Sequence, residues 1–191
     1  MKILIGVTCY RTILARTANT ILDIVRKYPD VGVVFQNGVF VHENMNNLVK
    51  YAQEDKCSHI FFVEHDMVFP PDTLDRLLEQ DKDIIAASYN YRCLPPTPMI
   101  YQKGDDGLFR MTYDIWPDKT FKCYGVPTGC TLIKMSVFDK ISYPYFFFNY
   151  TQDGKLESSQ DIYFCKKANE AGIEVWCDPT INIKHIGDYD Y

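Results

Sequence analysis

With 191 residues, 47% hydrophobic and 24% charged, the chain is long enough for one domain with a packed core and has an ordinary globular composition. A net charge of −5 excludes a broad basic face for nucleic acid or an anionic membrane, so a negatively charged ligand would need local compensation by a metal ion or a few basic side chains. Seven cysteines, an odd number with no CxxC pair, read as reduced thiols in a cytosol-like compartment rather than as disulfides or a structural zinc site.

Residues 2–7 read as a buried first strand rather than a signal segment, and residues 8–11 as the loop after it. Thr12 is the candidate N-cap of a helix carrying Leu14, Ala18, Ile21, Leu22 and Val25 and ending near Tyr28 and Pro29. Residues 31–35 form a second strand and residues 36–38 a turn. Met45, Leu48, Val49 and Ala52 then define a second amphipathic helix.

Residues 58–71, SHIFFVEHDMVFPP, are the centre of the pattern. The run Ile60-Phe61-Phe62-Val63 has the look of a strand buried on both faces. It gives way abruptly to Glu64-His65-Asp66, three groups able to bind metal at the point where the strand should emerge. Two carboxylates one residue apart there make a plausible clamp for a hard divalent cation and its phosphate ligands. His65 alternates away from its neighbours and reads as scaffold. Pro71 and Asp72 favour a third helix bearing Leu74, Leu77 and Leu78, and residues 83–91 a fourth strand.

Strand and helix thus alternate four times, which predicts an α/β domain with a mainly parallel sheet flanked by helices. Ligands of such sheets sit outside the carboxyl ends of the strands. Residues 8–11, 36–38, 64–66 and 89–92 should therefore face one cleft. The second half changes character. Residues 93–98 are Pro-rich, and strand-like pieces at 99–101, 108–113 and 121–126 predict a small antiparallel addition. An apolar segment at 131–137, an aromatic loop at 143–150, a last helix capped by Ser158 or Ser159 and stopped at Gly172, and closing strands at 173–176 and 180–184 complete the chain. No segment approaches the length of a transmembrane helix, so membrane contact would be peripheral.

Two stretches together resemble nucleotide-sugar glycosyltransferases of the GT-A fold, near the broad family 2 group and its short bacterial, phage and large-DNA-virus members. VEHDMVFPPDTLDRLL resembles their Asp-x-Asp strand end with its Pro-Pro-Asp helix start. SSQDIYFCKKANEAGIEVWCDPTINIKHIG resembles their Glu-Asp-x-x-Phe-Cys helix, Ala-Gly turn and final His-x-Gly strand. The linking VPTGCTLIKMSVF resembles the acceptor-side strand. The motifs keep the family's order over nearly the whole chain. Glu64 replaces the first Asp, Gln160 replaces the Glu of the Glu-Asp pair, and Met45-Asn46 replaces a frequent Arg-Asn pair.

The resemblance implies a Rossmann-like GT-A domain over residues 1–191, with a nucleotide-binding half at about 1–92 and an acceptor-side half at about 93–191. It implies that Asp66, His185 and Glu64 hold Mn²⁺ or Mg²⁺, and that Asp161, in the first turn of its helix, is the catalytic base. Thr8, Tyr10, Arg11, Asn37, Glu64 and Arg92 are the implied nucleotide and phosphate contacts, with Thr128 and Gly129 shaping the acceptor pocket. Each has an ordinary structural alternative: a strand-ending Asp, a hydrogen-bonded His, a first-turn Asp, a turn before a strand. The aromatic loop could stack on acceptor sugars or simply pack.

The implied activity is metal-dependent, inverting transfer of a sugar from a UDP-sugar, favoured over GDP, to a glycan or other hydroxyl acceptor. Retention of configuration, a non-catalytic nucleotide-sugar-binding module and a nucleotidyltransferase are the alternatives; the last is disfavoured because residues 8–16 contain no glycine. The chain is short for the family, which would suit one domain of a larger enzyme or the loss of a carboxyl-terminal acceptor piece.

Overall fold

The apolar run read as a doubly buried strand is β3 (His59–Glu64), and it lies in the middle of a seven-stranded sheet. The computed structural model describes residues 1–107, 109–111 and 117–187. In chain order the elements are β1 (Ile3–Cys9), α1 (Ala15–Lys27), β2 (Val31–Asn37), α2 (Val41–Glu54), β3, β4 (Met67–Val68), α3 (Thr73–Glu79) and β5 (Ile84–Ala87). Then come β6 (Asn90–Tyr91), β7 (Thr97–Pro98), β8 (Tyr101–Lys103), β9 (Phe109–Met111), β10 (Phe121–Cys123) and β11 (Cys130–Lys134). A 3-10 turn (Met135–Val137), β12 (Asn149–Tyr150), β13 (Leu156–Ser158), α4 (Gln160–Glu170), β14 (Val175–Asp178) and β15 (Lys184–His185) follow.

The main sheet has the order β10-β14-β5-β11-β3-β1-β2. β2, β1, β3, β5 and β14 run one way, while β10 and β11 run against them. The fold is therefore mixed α/β with a mostly parallel sheet. The chain steps from β1 outward to β2, then back over β1 to β3, so strand order reverses between β1 and β3. A reversal of direction moves the crossover helix to the opposite face, and it opens a crevice at the carboxyl ends of the two strands.

Side-chain alternation along β3 shows both faces buried. Ile60 and Phe62 join one apolar layer with Met45, Leu48, Val49 and Ala52 of α2 and with Phe164, Cys165 and Ala168 of α4. Phe61 and Val63 join the other, with Ile21 and Ile24 of α1 and Leu74 and Leu77 of α3. With no polar face to turn to water, β3 has to read as unbroken hydrophobicity. Gly6 of β1 lets α2 lie close, since a Cβ there would stand 3.2 Å from Leu48 Cδ1.

Several sequence expectations shift. Thr12 does not cap α1: the helix starts at Ala15 with Leu14 as its flanking residue and no side-chain cap bond. Its buried face runs through Thr17, Ile21 and Ile24, leaving Leu22 exposed. Thr8 and Cys9 complete β1, and Gln36 and Asn37 complete β2, instead of forming loops. The stretch 58–71 breaks at a turn after Glu64, and β4 pairs with β15 outside the main sheet. The strand expected at 83–91 ends at Ala87: Ser88 N–H still donates to the Asp178 carbonyl of β14 at 3.3 Å, and the chain then departs so that β6 pairs with β7.

The apolar segment 131–137 is strand only to Lys134. Of the closing segments, β14 joins the sheet while only Lys184 and His185 of the last one pair. The antiparallel addition consists of β8 with β9 and β6 with β7, joined to the main sheet's surroundings through a Tyr101–Gly125 bridge. Leu108, Thr112 and Tyr113, part of an expected strand, lie outside the described residues.

Candidate functional site

β3 delivers Glu64 to the carboxyl edge, and four backbone hydrogen bonds fix the chain there. Glu64 N–H donates to Gly129 O (3.1 Å), His65 N–H to Thr8 O (3.2 Å), Leu14 N–H to His65 O (3.1 Å) and Ile186 N–H to Asp66 O (2.9 Å). The turn at 65–66 is thereby tied to β1, to the start of α1, to the entry of β11 and to the end of β15. It also ends the strand alternation, so His65 faces the cleft together with Glu64 and Asp66, whereas the sequence placed it in the scaffold. Its backbone serves as scaffold and its imidazole lines the site.

Asp66 is 2% exposed, and its Oδ1 has no hydrogen-bond partner. Its Oδ2 forms an ion pair with Arg92 and lies 3.7 Å from both His65 Nε2 and His185 Nε2. Donor atoms of Glu64, Asp66 and His185 all lie within 4.8 Å of one another. His185 Nδ1 is 3.0 Å from the Asn90 carbonyl, which fixes the proton on Nδ1 and leaves the Nε2 lone pair turned to Asp66. Burial, with Arg92 nearby, pulls the His185 pKa down to about 4 despite the Asn90 carbonyl, so the ring is a neutral ligand at ordinary pH. A buried carboxylate oxygen without a hydrogen bond, a carboxylate beside it and an oriented neutral imidazole form an O/O/N set that fits a divalent cation.

Glu64 keeps some surface open to the cleft, yet protein surrounds the rest of it. That burial and the nearby Asp161 push its carboxyl up to about 7, with Arg92 pulling the other way. Asp161 lies in the first turn of α4 and is 9% exposed. Its Oδ1 accepts from Thr128 Oγ1 at 2.5 Å and from Gln160 Nε2 at 3.2 Å. Burial pushes the Asp161 carboxyl up to about 6, and these donors hold it from rising further. A carboxylate near neutral, aimed by two donors, is poised to take a proton.

Below them is Tyr89, which the sequence did not single out as a site residue. Its ring meets His185 edge-on with centroids 5.2 Å apart, and its hydroxyl accepts from Gly129 N–H at 3.1 Å. A Cβ on Gly129 would fall 2.4 Å from the Tyr89 hydroxyl and 2.9 Å from Met67 Cε. Only glycine permits this approach, so the entry of β11 and the histidine share one support.

A cleft of about 260 Å³ opens over these groups, and Thr8, Tyr10, Glu64, Asp66 and Arg92 line it. Cys9 and Gly38, from the strand-end segments expected to face the cleft, and Gln160 of the helix motif also line it, while Val39, Val41 and Asn44 add walls that sequence reasoning did not pick out. Asn44 Nδ2 donates to Gly38 O at 3.2 Å and holds that wall in place, a contact without a local sequence signal. Arg11 and Asn37 are exposed and lie outside the lining. Arg11 instead caps Tyr10, with its guanidinium carbon 4.9 Å from the ring centroid.

The aromatic loop is packed and clamped. Asn46 Oδ1 accepts from Tyr145 N–H (3.0 Å) and Phe146 N–H (3.2 Å), its Nδ2 donates to Phe146 O (2.8 Å), and Phe146 stacks on Phe164 at 4.7 Å. Tyr143, Phe147 and Tyr150 remain exposed. A larger hollow of about 340 Å³, between Tyr101, Phe109 and Ile162, holds none of the clustered ionisable groups. Among the described residues, no helix is long and apolar enough to cross a membrane.

No model of a known protein family matches the chain, and no curated protein matches it. Among solved structures it is similar to the crystal structure of A197 from STIV, with 16% identity, a TM-score of 0.68, and coverage of 98% of this chain and 87% of that one. At that identity the likeness is one of fold: a mixed α/β architecture shared over nearly the full length of both chains.

Proposed function

We propose that the chain is a metal-dependent glycosyltransferase of the GT-A type, moving a sugar from a nucleoside-diphosphate donor, UDP favoured, to a hydroxyl acceptor with inversion. The observation that carries this reading is Asp66: a carboxylate 2% exposed, with Oδ1 lacking a partner, and with Glu64 and His185 within 4.8 Å at a strand-order reversal. Asp66, His185 and Glu64 would hold Mn²⁺ or Mg²⁺, which stabilises charge on a departing diphosphate.

The chain's own residues account for the rest. Tyr10, exposed at the rim, offers its open face to a base, and buried Thr8 forms the floor beneath. Asp161 takes the proton of the acceptor hydroxyl as that oxygen attacks the anomeric carbon. Thr128 and Gln160 keep its Oδ1 oriented meanwhile. Gln160, standing where the resemblance expects Glu, donates to Asp161 instead of adding a charge beside it.

The test is a screen of UDP-, GDP- and dTDP-sugars for Mn²⁺-dependent hydrolysis and transfer. Turnover of a donor that stops with EDTA is the expected result. Tight donor binding with no turnover would favour a binding module, and turnover indifferent to EDTA would refute the metal.

A further inference from the structure

Arg92 differs from every other residue of the cleft in carrying a permanent positive charge onto the cluster. Its guanidinium forms an ion pair with Asp66 Oδ2, with Arg92 42% exposed and Asp66 2% exposed in their side chains. One end of the pair is fixed in the interior and the other reaches the cleft mouth. Glu64, His65 and His185 also register the charge, which favours the ionised form of the carboxyl and opposes protonation of both imidazoles. The guanidinium thus acts on Asp66, Glu64 and His185, whose donor atoms lie within 4.8 Å of one another, and on His65 beside them.

Two cations cannot both stay close to one buried carboxylate oxygen without strong repulsion. A guanidinium does not give up its proton at any ordinary pH, so it can leave only by moving. Room to move exists: Arg92 opens on the cleft, and Leu94, Pro95 and Pro96 after it are exposed.

We propose that Arg92 is the resident counter-cation of this site, pairing with Asp66 until a divalent metal displaces it. The inference rests on the metal reading above and adds to it a role for Arg92 as a positioning residue. The pair keeps Asp66 compensated in the metal-free protein, where a lone buried carboxylate would be strongly unfavourable. The cost falls on metal affinity, since only the fraction of molecules with Arg92 withdrawn can accept the ion. Once displaced, the guanidinium remains in the cleft as a forked donor for an anionic ligand.

The experiment is Mn²⁺ binding, followed by the electron paramagnetic resonance signal of the free ion, with no nucleotide present. The proteins are wild type, Arg92→Met, Arg92→Lys and Asp66→Asn. Arg92→Met is expected to bind Mn²⁺ about tenfold more tightly than wild type, and Arg92→Lys within about threefold of it. Asp66→Asn is expected not to bind. Metal-free Arg92→Met should melt below wild type, and Mn²⁺ should raise its Tm by more than it raises that of wild type. If the Met variant does not fold, Arg92→Gln replaces it.

Unchanged or weaker Mn²⁺ binding by a folded neutral variant would overturn the role of Arg92 while leaving the metal site standing. Tightening by Arg92→Lys as large as that by the neutral variant would overturn the charge argument. No Mn²⁺ binding by any of the four would overturn both the inference and the metal reading.

Discussion

The two ends of the sheet treat charge in opposite ways. At the amino ends of the strands, Lys134 Nζ lies 2.8 Å from Asp81 and 3.4 Å from Asp83, and Lys2 Nζ lies 2.5 Å from Asp55. The hydrogen bond to Asp81 raises the Lys134 pKa, and its counterpart lowers that of Asp81, so each group is driven further into its charged form. At the carboxyl ends, burial raises Glu64 and Asp161 and lowers His185, so each group is driven toward neutrality. One end balances its charges in water. The other holds groups that would gain from a cation the protein only partly supplies. Stability alone accounts for the first end and leaves the second unexplained, which makes the second the candidate working end.

The strongest way to break this contrast is Asp66→Ala. It should lower Mn²⁺-dependent donor turnover by on the order of a thousandfold, read as initial rates with saturating metal. Retained activity would mean that the carboxyl end is not a cation site. Asp161→Asn comes next and separates function from stability. A carboxyl raised from 3.8 to about 6 in the fold binds its proton more tightly folded than unfolded. Its stabilising contribution is therefore present below pH 3.8 and is lost as pH rises through about 6. Asn should stabilise the protein by on the order of 3 kcal/mol at pH 8 and by little at pH 4, in urea melts, while transfer is lost.

Gly129→Ala should cost about 2 kcal/mol, because its Cβ would meet the Tyr89 hydroxyl, itself fixed against His185. Weakened Mn²⁺ binding should accompany the loss, and unchanged binding would show that the shared support does not matter. The smallest effect belongs to the other end of the sheet. Lys134→Ala should lower the Tm slightly and leave Mn²⁺ affinity alone, since partly exposed pairs contribute little. A large effect there would dissolve the contrast.

The parts legible in the sequence were those with a short-range signature. Met45, Leu48, Val49 and Ala52 recur with the helical period and all are buried on α2. Ile60 to Val63 announced a strand with two apolar neighbours, and Glu64 and Asp66 announced its end. The meeting of those carboxylates with His185, across most of the chain, was an expectation of the family resemblance and of no local pattern, and the structure brings the three within 4.8 Å of one another. What stayed hidden depends on partners distant in sequence. Leu22 had the right spacing but the wrong rotation, because the face of α1 is chosen by what Ile21 and Ile24 pack on. β11 offered no clue that it would enter between β3 and β5, since an antiparallel strand needs no crossover helix to reveal its place. Arg92 read as one loop cation among several, and nothing local pointed to Asp66.

Because β11 runs against its neighbours, the chain leaves β5 after Ala87 and enters β11 at Cys130 at the same end of the sheet, with Ala86 and Thr131 directly paired, having added β10 beside β14 on the way. Everything between, residues 88–129, begins and finishes beside the cleft. Ile100, Cys123 and Val126 root that excursion in the core and β10 ties it to the sheet, whereas the exposed turn of Leu94, Pro95 and Pro96 between β6 and β7 is free to lengthen, shorten or change composition without disturbing strand order. A lineage could thus rewrite what stands over the cleft while inheriting β1, β3, Asp66 and Asp161 intact. In this architecture, what stands at the mouth of the cleft and how the sheet is built are separable traits at that turn.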